Sequence, residues 1–190
     1  MKYIGMAALI ILLNISTLAC ASSNLNVLKP VESRETASGI TINRTAHPIV
    51  LPLETLSGTT FAGSDGELIF YGDNKGLYAS VVTSEAWNSP PIQMNLIPEY
   101  IFKRNLSAIP DAEFRKELEG IIRITVGPVG EKTLSVMSID DITVYIAYTF
   151  EKSIIMISSP DKPDLFSRVI LNNFSWEEIE NDILKGIKER

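Results

Sequence analysis

The chain has 190 residues, of which 45% are hydrophobic and 21% are charged. This composition excludes a collagen-like, a low-complexity or a wholly disordered protein, and the length favours a single domain. The formal net charge of −6 argues against a nucleic-acid partner, because proteins that bind nucleic acids need a basic surface to contact phosphates.

The first 21 residues have the organisation of an export signal. Lys2 is their only charged residue, Ile4–Leu13 is an apolar run, and Ala19-Cys20-Ala21 supplies small residues at a cleavage point. Asn14 and other polar residues interrupt the remaining uncharged stretch, which favours a cleaved signal over a transmembrane anchor. We predict that residues 1–21 are a signal segment, cleaved either before Cys20 or after Ala21.

The end of this segment, Ser16–Cys20, resembles the signal of bacterial lipoproteins, in which a dedicated peptidase cuts before a cysteine that receives a lipid. The resemblance covers the signal alone. It implies that Cys20 is the lipidation site and that the mature protein is lipid-anchored on the periplasmic side of the bacterial envelope. Cleavage after Ala21 would instead give a soluble periplasmic or secreted protein. Either way no disulfide forms, because Cys20 is the only cysteine, and a hydrophobic core must supply the stability.

The mature chain is predicted to begin with a flexible tether, residues 22–38, which is rich in Ser, Asn and Thr. A single domain is predicted over residues 39–190. Asp73–Gly76 has the composition of a hairpin turn between two strands. The β-prone runs, in chain order, are Ile40–Ile42, Ile49–Leu51, Glu67–Tyr71, Leu77–Val82, Leu134–Met137, Ile142–Phe150, Ser153–Ser158 and Phe166–Leu171.

Two amphipathic helices accompany these strands. Asp111–Arg123 has apolar residues at helical spacing, and the C-terminal segment begins with Ser175 and Glu178 in a capping-box pattern. The combination predicts an α+β fold: an antiparallel sheet with two amphipathic helices on one face. The final order of hairpin, strand and helix resembles the small PsbP-like α+β domains of exported proteins, over about the last third of the mature chain. That resemblance implies the fold class and no function.

Residues suited to catalysis are few, and no metal ion or other cofactor is expected because the sequence has no His/Cys cluster. A hydrolase with a Ser-His-acid relay would have to use His47, which is predicted to be exposed, as its base. A glycosidase would instead use a carboxylate pair, either Glu113 with Glu117 on one helix face or Asp140 with Asp141 in a turn. A hydrolase is the third of our hypotheses, and we predict that the protein is not an enzyme.

Binding is therefore the favoured class of function. The stretch Trp87–Tyr100, predicted to be an irregular loop, carries Trp87, Met94, Ile97 and Tyr100 with few charges, as interface centres do. The alternative is that these residues pack the loop onto the sheet. We predict a protein-binding envelope domain, similar in role to an inhibitor or immunity protein, that contacts an envelope or periplasmic protein through these four residues. The alternative is a small-ligand or lipid carrier of the periplasm. An enclosed apolar pocket would favour the carrier, and a solid core with an exposed aromatic loop would favour a protein partner.

Overall fold

The computed structural model describes residues 25–31, 39–52, 59–62, 66–70, 74–88, 90–128 and 130–188. The export signal, with Cys20, lies outside the described residues. The strands are β1 (Asn26–Val27), β2 (Gly39–Ile42), β3 (Ile49–Pro52), β4 (Thr59–Ala62), β5 (Glu67–Phe70), β6 (Gly76–Thr83), β7 (Thr133–Ile139), β8 (Ile142–Tyr148), β9 (Lys152–Ser158) and β10 (Leu165–Asn172). The α-helices are α1 (Ile97–Lys103), α2 (Ala112–Thr125) and α3 (Trp176–Glu178).

Eight of the strands form one sheet in the order β1-β7-β8-β9-β10-β6-β5-β4, and β2 and β3 form a separate two-stranded sheet. All pairs are antiparallel except β1 with β7. The predicted α+β class with an antiparallel sheet is confirmed. Short turns explain this topology: Asn74 and Asp140 have positive φ angles, 61° and 49°, and both residue types tolerate that conformation.

The large sheet is covered on both faces. On the first, which we call the hairpin face, β2, β3 and the C-terminal helical segment pack against alternate sheet residues such as Ile146, Ile155 and Val169. On the second, the helix face, α1 and α2 pack against the intervening residues, among them Tyr145 and Phe166. The prediction that both helices share one face is therefore corrected, because apolar residues line both faces of the central strands and each face needs a cover.

The segment predicted to be a tether contains ordered structure. Asn26–Val27 pairs in parallel with Ser135 and Val136 of β7, and Leu28 N–H donates to the Val136 carbonyl at 2.8 Å. Leu28 and Val31 also pack against the core of the hairpin face. Asn26–Val27 thus extends the sheet at the outer edge of β7, and residues 22–24 and 32–38 of the predicted tether lie outside the described residues.

Local capping explains where the two predicted helices begin. Asp111 accepts a hydrogen bond from Phe114 N–H at 2.7 Å, and Phe114, Leu118 and Ile122 of α2 are buried. The capping box of Ser175 with Glu178 is present at the start of α3. The chain continues from α3 as a π-helical turn, Ile179–Ile183, and a 3-10 turn, Leu184–Gly186.

No helix among the described residues has the length and apolar character needed to cross a lipid bilayer.

Candidate functional site

The predicted recognition stretch, Trp87–Tyr100, is folded onto the helix face. Met94 and Ile97 are 1% and 0% exposed, so they have no surface to offer a partner, which corrects their predicted role as contact residues. Trp87 is half-buried, and its ring meets those of Phe114 and Phe166 edge-on with centroids 6.1 Å apart in both pairs. Tyr100 is half-buried against the same core.

A short helix, α1, accounts for this burial and was missed at the sequence level. Pro98 lies in its first turn, where a missing backbone N–H has no cost, and Ile97, Ile101 and Phe102 are buried. Two turns that precede it, Glu85–Trp87 and Met94–Leu96, adopt the 3-10 conformation. The spacing of Ile97 and Ile101 with Pro98 in the first turn was the available signal.

The two carboxylate pairs lie on the protein surface. Glu113 and Glu117 are exposed on α2, and Asp140 and Asp141 are exposed in the turn between β7 and β8. None of the four lines the cleft described below. Within the part of the chain that the structure describes, no cluster of three or more His, Cys, Asp or Glu residues could hold a metal ion.

His47 is buried, with 2% exposure, and not exposed as predicted. Its Nε2 lies 3.0 Å from Ser159 Oγ, and Ser159 Oγ donates a hydrogen bond to Asp161 Oδ1. That hydrogen bond lowers the pKa of Asp161, so the carboxylate remains an acceptor. Because the single hydroxyl proton goes to Asp161, Nε2–H of His47 must be the donor to Ser159. A nucleophilic serine needs the reverse, an imidazole that accepts the hydroxyl proton.

Neighbouring hydrogen bonds show that His47 fixes a loop. Thr45 Oγ1 donates to the His47 carbonyl at 2.6 Å, and Ala46 N–H donates to Ser167 Oγ of β10, also at 2.6 Å. Residues 43–47, the connection between β2 and β3, are therefore attached at several points to the end of the large sheet. The attachment of this loop to the sheet accounts for the burial of His47.

A cleft with a volume of about 550 Å³ lies beside the last residues of β6. Its lining includes four consecutive residues of that strand, Ser80–Thr83, together with Trp87, Arg168 of β10, and Arg44 of the 43–47 loop. This volume is within the range typical of ligand sites, about 300–1,000 Å³. The lining is polar as well as apolar, so the cleft differs from the enclosed apolar pocket expected of a lipid carrier.

Among the described residues, the side chains that line the cleft carry only positive charge, in a protein that is acidic overall. Arg44 and Arg168 both line it, and no Asp or Glu is among the described residues of its lining. No ion pair joins either arginine to another described residue. An arginine with free N–H groups in a concave site is suited to bind a carboxylate or phosphate, because its planar guanidinium can donate two parallel hydrogen bonds.

Two buried polar atoms of the cleft strengthen this interpretation. Ser80 is 2% exposed, and neither its Oγ nor Arg168 Nε has a hydrogen-bond partner among the residues that the structure describes. The two residues are directly opposite each other on β6 and β10, so both side chains lie on the helix face. Leaving such a group unsatisfied costs about 1–3 kcal/mol. An anionic ligand in the cleft would supply the missing acceptor.

Comparisons with protein-family models, with curated proteins and with solved structures find no match to this chain. The assignment of the cleft therefore depends on its own geometry and charge.

Proposed function

We propose that this domain is a non-enzymatic binding protein of the bacterial envelope, and that its ligand carries a carboxylate or phosphate group bound between Arg168 and Arg44. The observation that carries the proposal is that Ser80 and Arg168 both line one cleft, with no acid among its described residues, while Ser80 Oγ and Arg168 Nε are buried without a partner among the described residues. The two arginines attract anions locally although the protein as a whole has a net charge of −6.

A protein partner is favoured over a lipid or apolar ligand. Both faces of the sheet are filled with buried side chains, and the cleft offers charge and hydrogen bonds instead of an apolar cavity. An apolar ligand would leave Ser80 and Arg168 unsatisfied, which is unfavourable. An acidic group on an envelope or periplasmic protein would satisfy them. The arrangement at His47 gives no comparable support for hydrolysis.

Titration of the mature protein with acetate and with inorganic phosphate tests the proposal. NMR signals of Arg168 Nε–H and of the Trp87 indole N–H should shift and saturate, and added NaCl should weaken the binding because it screens the charges. Arg168→Gln should raise the dissociation constant at least tenfold, about 1.4 kcal/mol. Arg123→Gln is the matched control, since Arg123 is exposed on α2 and does not line the cleft. Equal effects of the two substitutions, or no saturable shift, would contradict the proposal.

The same proposal includes membrane attachment through a lipid on Cys20, which the position of the sole cysteine after an export signal supports. Two or more acyl chains would anchor the protein without a basic surface, since each buried CH₂ contributes about 0.8 kcal/mol. Cys20→Ser should move the protein from the membrane fraction to the soluble periplasmic fraction. Ala21→Ser is the control and should leave it in the membrane. An unchanged distribution of Cys20→Ser would exclude the lipid anchor.

A further inference from the structure

At the end of β6, in the cleft, no described strand pairs with the side of the backbone that faces away from β10. Ser84 N–H donates to the Asp164 carbonyl at 3.0 Å and continues the β6–β10 pairing, in which Ser80 is opposite Arg168 and Val82 is opposite Phe166. In an antiparallel pair, alternate residues direct both backbone groups to the same neighbour. The even-numbered residues of β6 therefore bond to β10. The N–H and C=O groups of Val81 and Thr83 point to the opposite side.

The neighbouring strand β5 does not cover that side. Its pairing with β6 ends where Glu67 is opposite Ala79, and neither Val81 nor Thr83 pairs with a described strand there. Gly66, just before β5, is pressed against β6: a Cβ at this position would lie 2.6 Å from the Ala79 carbonyl oxygen and 2.8 Å from the Tyr78 ring. The backbone groups of Val81 and Thr83 therefore lie beyond the last observed pair of β5 and β6.

The lining of the cleft follows this edge. Successive side chains of a strand point to opposite faces of the sheet, so a cleft confined to one face would be lined by alternate residues only. Here all of Ser80–Thr83 line it, as expected of a cleft that extends around the edge itself. The cleft thus combines outward backbone donors and acceptors with the guanidinium of Arg168 on the helix face.

We infer that the ligand is an extended peptide segment that adds to the edge of β6 at Val81 and Thr83 and places a carboxylate against Arg168. This inference rests on the proposed function and specifies its ligand class. Main-chain hydrogen bonds supply affinity in such strand addition, and side-chain pockets supply specificity. Charge complementarity selects an acidic segment, because the lining carries two arginines and no described acid.

Short blocked peptides added to the mature protein provide the test. The probe is Ac-Val-Thr-Glu-Val-Thr-NH₂. Two control peptides contain Gln instead of Glu, one with the blocked C terminus and one with a free C-terminal carboxylate. The third control is a single amino acid, N-acetylglutamate amide. We expect the Glu peptide to bind at least tenfold more tightly than both the uncharged peptide and the single amino acid. The amide protons of Val81 and Thr83 should become protected from exchange. If the free C terminus restores binding to the Gln peptide, the carboxylate is terminal in the preferred ligand.

N-methylation of the peptide, one residue at a time, gives the decisive pattern. Only alternate N–H groups of an added strand face β6, so methylation should weaken binding at every second residue and leave the residues between nearly unchanged. Val81→Pro, which deletes an outward N–H from this edge, should reduce affinity at least tenfold. Because this variant could fail to fold, the methylation series on the unaltered protein is the deciding measurement.

The outcomes separate the two proposals. If acetate and phosphate shift Arg168 but the peptides bind no better than N-acetylglutamate amide, the cleft binds anions and the strand addition is wrong. Methylation effects without alternation would also overturn the strand addition. If the peptides protect Val81 and Thr83 equally well with Gln as with Glu, and Arg168→Gln has no effect, the edge binds peptides and the anion site is wrong.

Discussion

Ser80 and Ser167 form a matched pair that tests the reasoning about the cleft. Both serines are buried on the paired strands β6 and β10, with 2% and 0% exposure. Ser167 Oγ accepts a hydrogen bond from Ala46 N–H at 2.6 Å, whereas Ser80 Oγ has no partner among the described residues. The same substitution by alanine should therefore change the free energy of unfolding in opposite directions.

Burial of a hydroxyl without a hydrogen bond costs about 1–3 kcal/mol in protein mutational data, so Ser80→Ala should stabilise the unliganded protein by up to that amount. Ser167→Ala leaves the Ala46 N–H unsatisfied and should cost about 1–3 kcal/mol. For a chain of this size, 1 kcal/mol corresponds to a shift in Tm of about 2–4 °C. Thermal denaturation, followed by circular dichroism, should place the two variants on opposite sides of the unaltered protein.

The same experiment in the presence of phosphate links stability to binding. A ligand at 100 times its dissociation constant stabilises the folded state by about 2.7 kcal/mol. We expect the unaltered protein and Ser167→Ala to gain this amount, and Ser80→Ala to gain less, because it lacks one of the groups that contact the anion. If Ser80→Ala is destabilised as much as Ser167→Ala and retains the full response to phosphate, Ser80 is an ordinary structural residue and the anion site is wrong.

Two further predictions concern stability. Ser175→Ala removes the observed capping box and should cost about 0.5–2 kcal/mol in chemical denaturation, whereas Ser107→Ala, at an exposed position outside the helices, should cost less than that. Burial, and to a smaller extent the charge of Glu99, raises the pKa of Tyr145 from 10.0 to about 12. Between these two pH values the folded state keeps a proton that the unfolded state loses. The free energy of unfolding should therefore fall as the pH rises from 10 to 12. Tyr145→Phe should abolish this part of the decline, and an identical pH profile for the variant would refute the assignment.

The elements predicted well are those specified by neighbouring residues. The hairpin of β5 and β6, the helix α2 and the capping box of Ser175 each depend on a local turn, a helical spacing or a cap. The strand predicted over Ile142–Phe150 ends at Tyr148, and Phe150 is exposed, because the turn into β9 begins there. Helix α1 was missed because its seven residues give a weak periodic signal between two 3-10 turns.

The cleft was not predictable from local patterns. Arg44, Ser80 and Arg168 belong to a loop and two strands that are distant in sequence, and the pairing of β6 with β10 brings the latter two together. The composition of Trp87–Tyr100 left open an interface loop and a loop packed onto the sheet, and in the structure its apolar side chains cover the helix face. The burial of His47 likewise depends on Ser159, which is 112 residues away in sequence.

His47 connects the buried hydrogen-bond network to the cleft. Its Nε2–H bond to Ser159 holds the 43–47 loop against the end of the sheet, and the same loop carries Arg44 into the lining of the cleft. These contacts give His47 a role in positioning the loop. His47→Leu should release the loop and weaken phosphate binding severalfold, although Arg168 and Ser80 are unchanged.

The conservative variant distinguishes positioning from a general loss of stability. His47→Gln keeps a side-chain N–H that can donate to Ser159 Oγ, so it should restore most of the affinity for phosphate that His47→Leu loses. Chemical shifts of the Arg44 and Ala46 amides should report the position of the loop in each variant, independently of the ligand. If His47→Leu moves these signals but binds phosphate normally, Arg44 contributes nothing to the site. The anion would then be bound by Arg168 and Ser80 alone, which narrows the recognition surface to the paired strands β6 and β10.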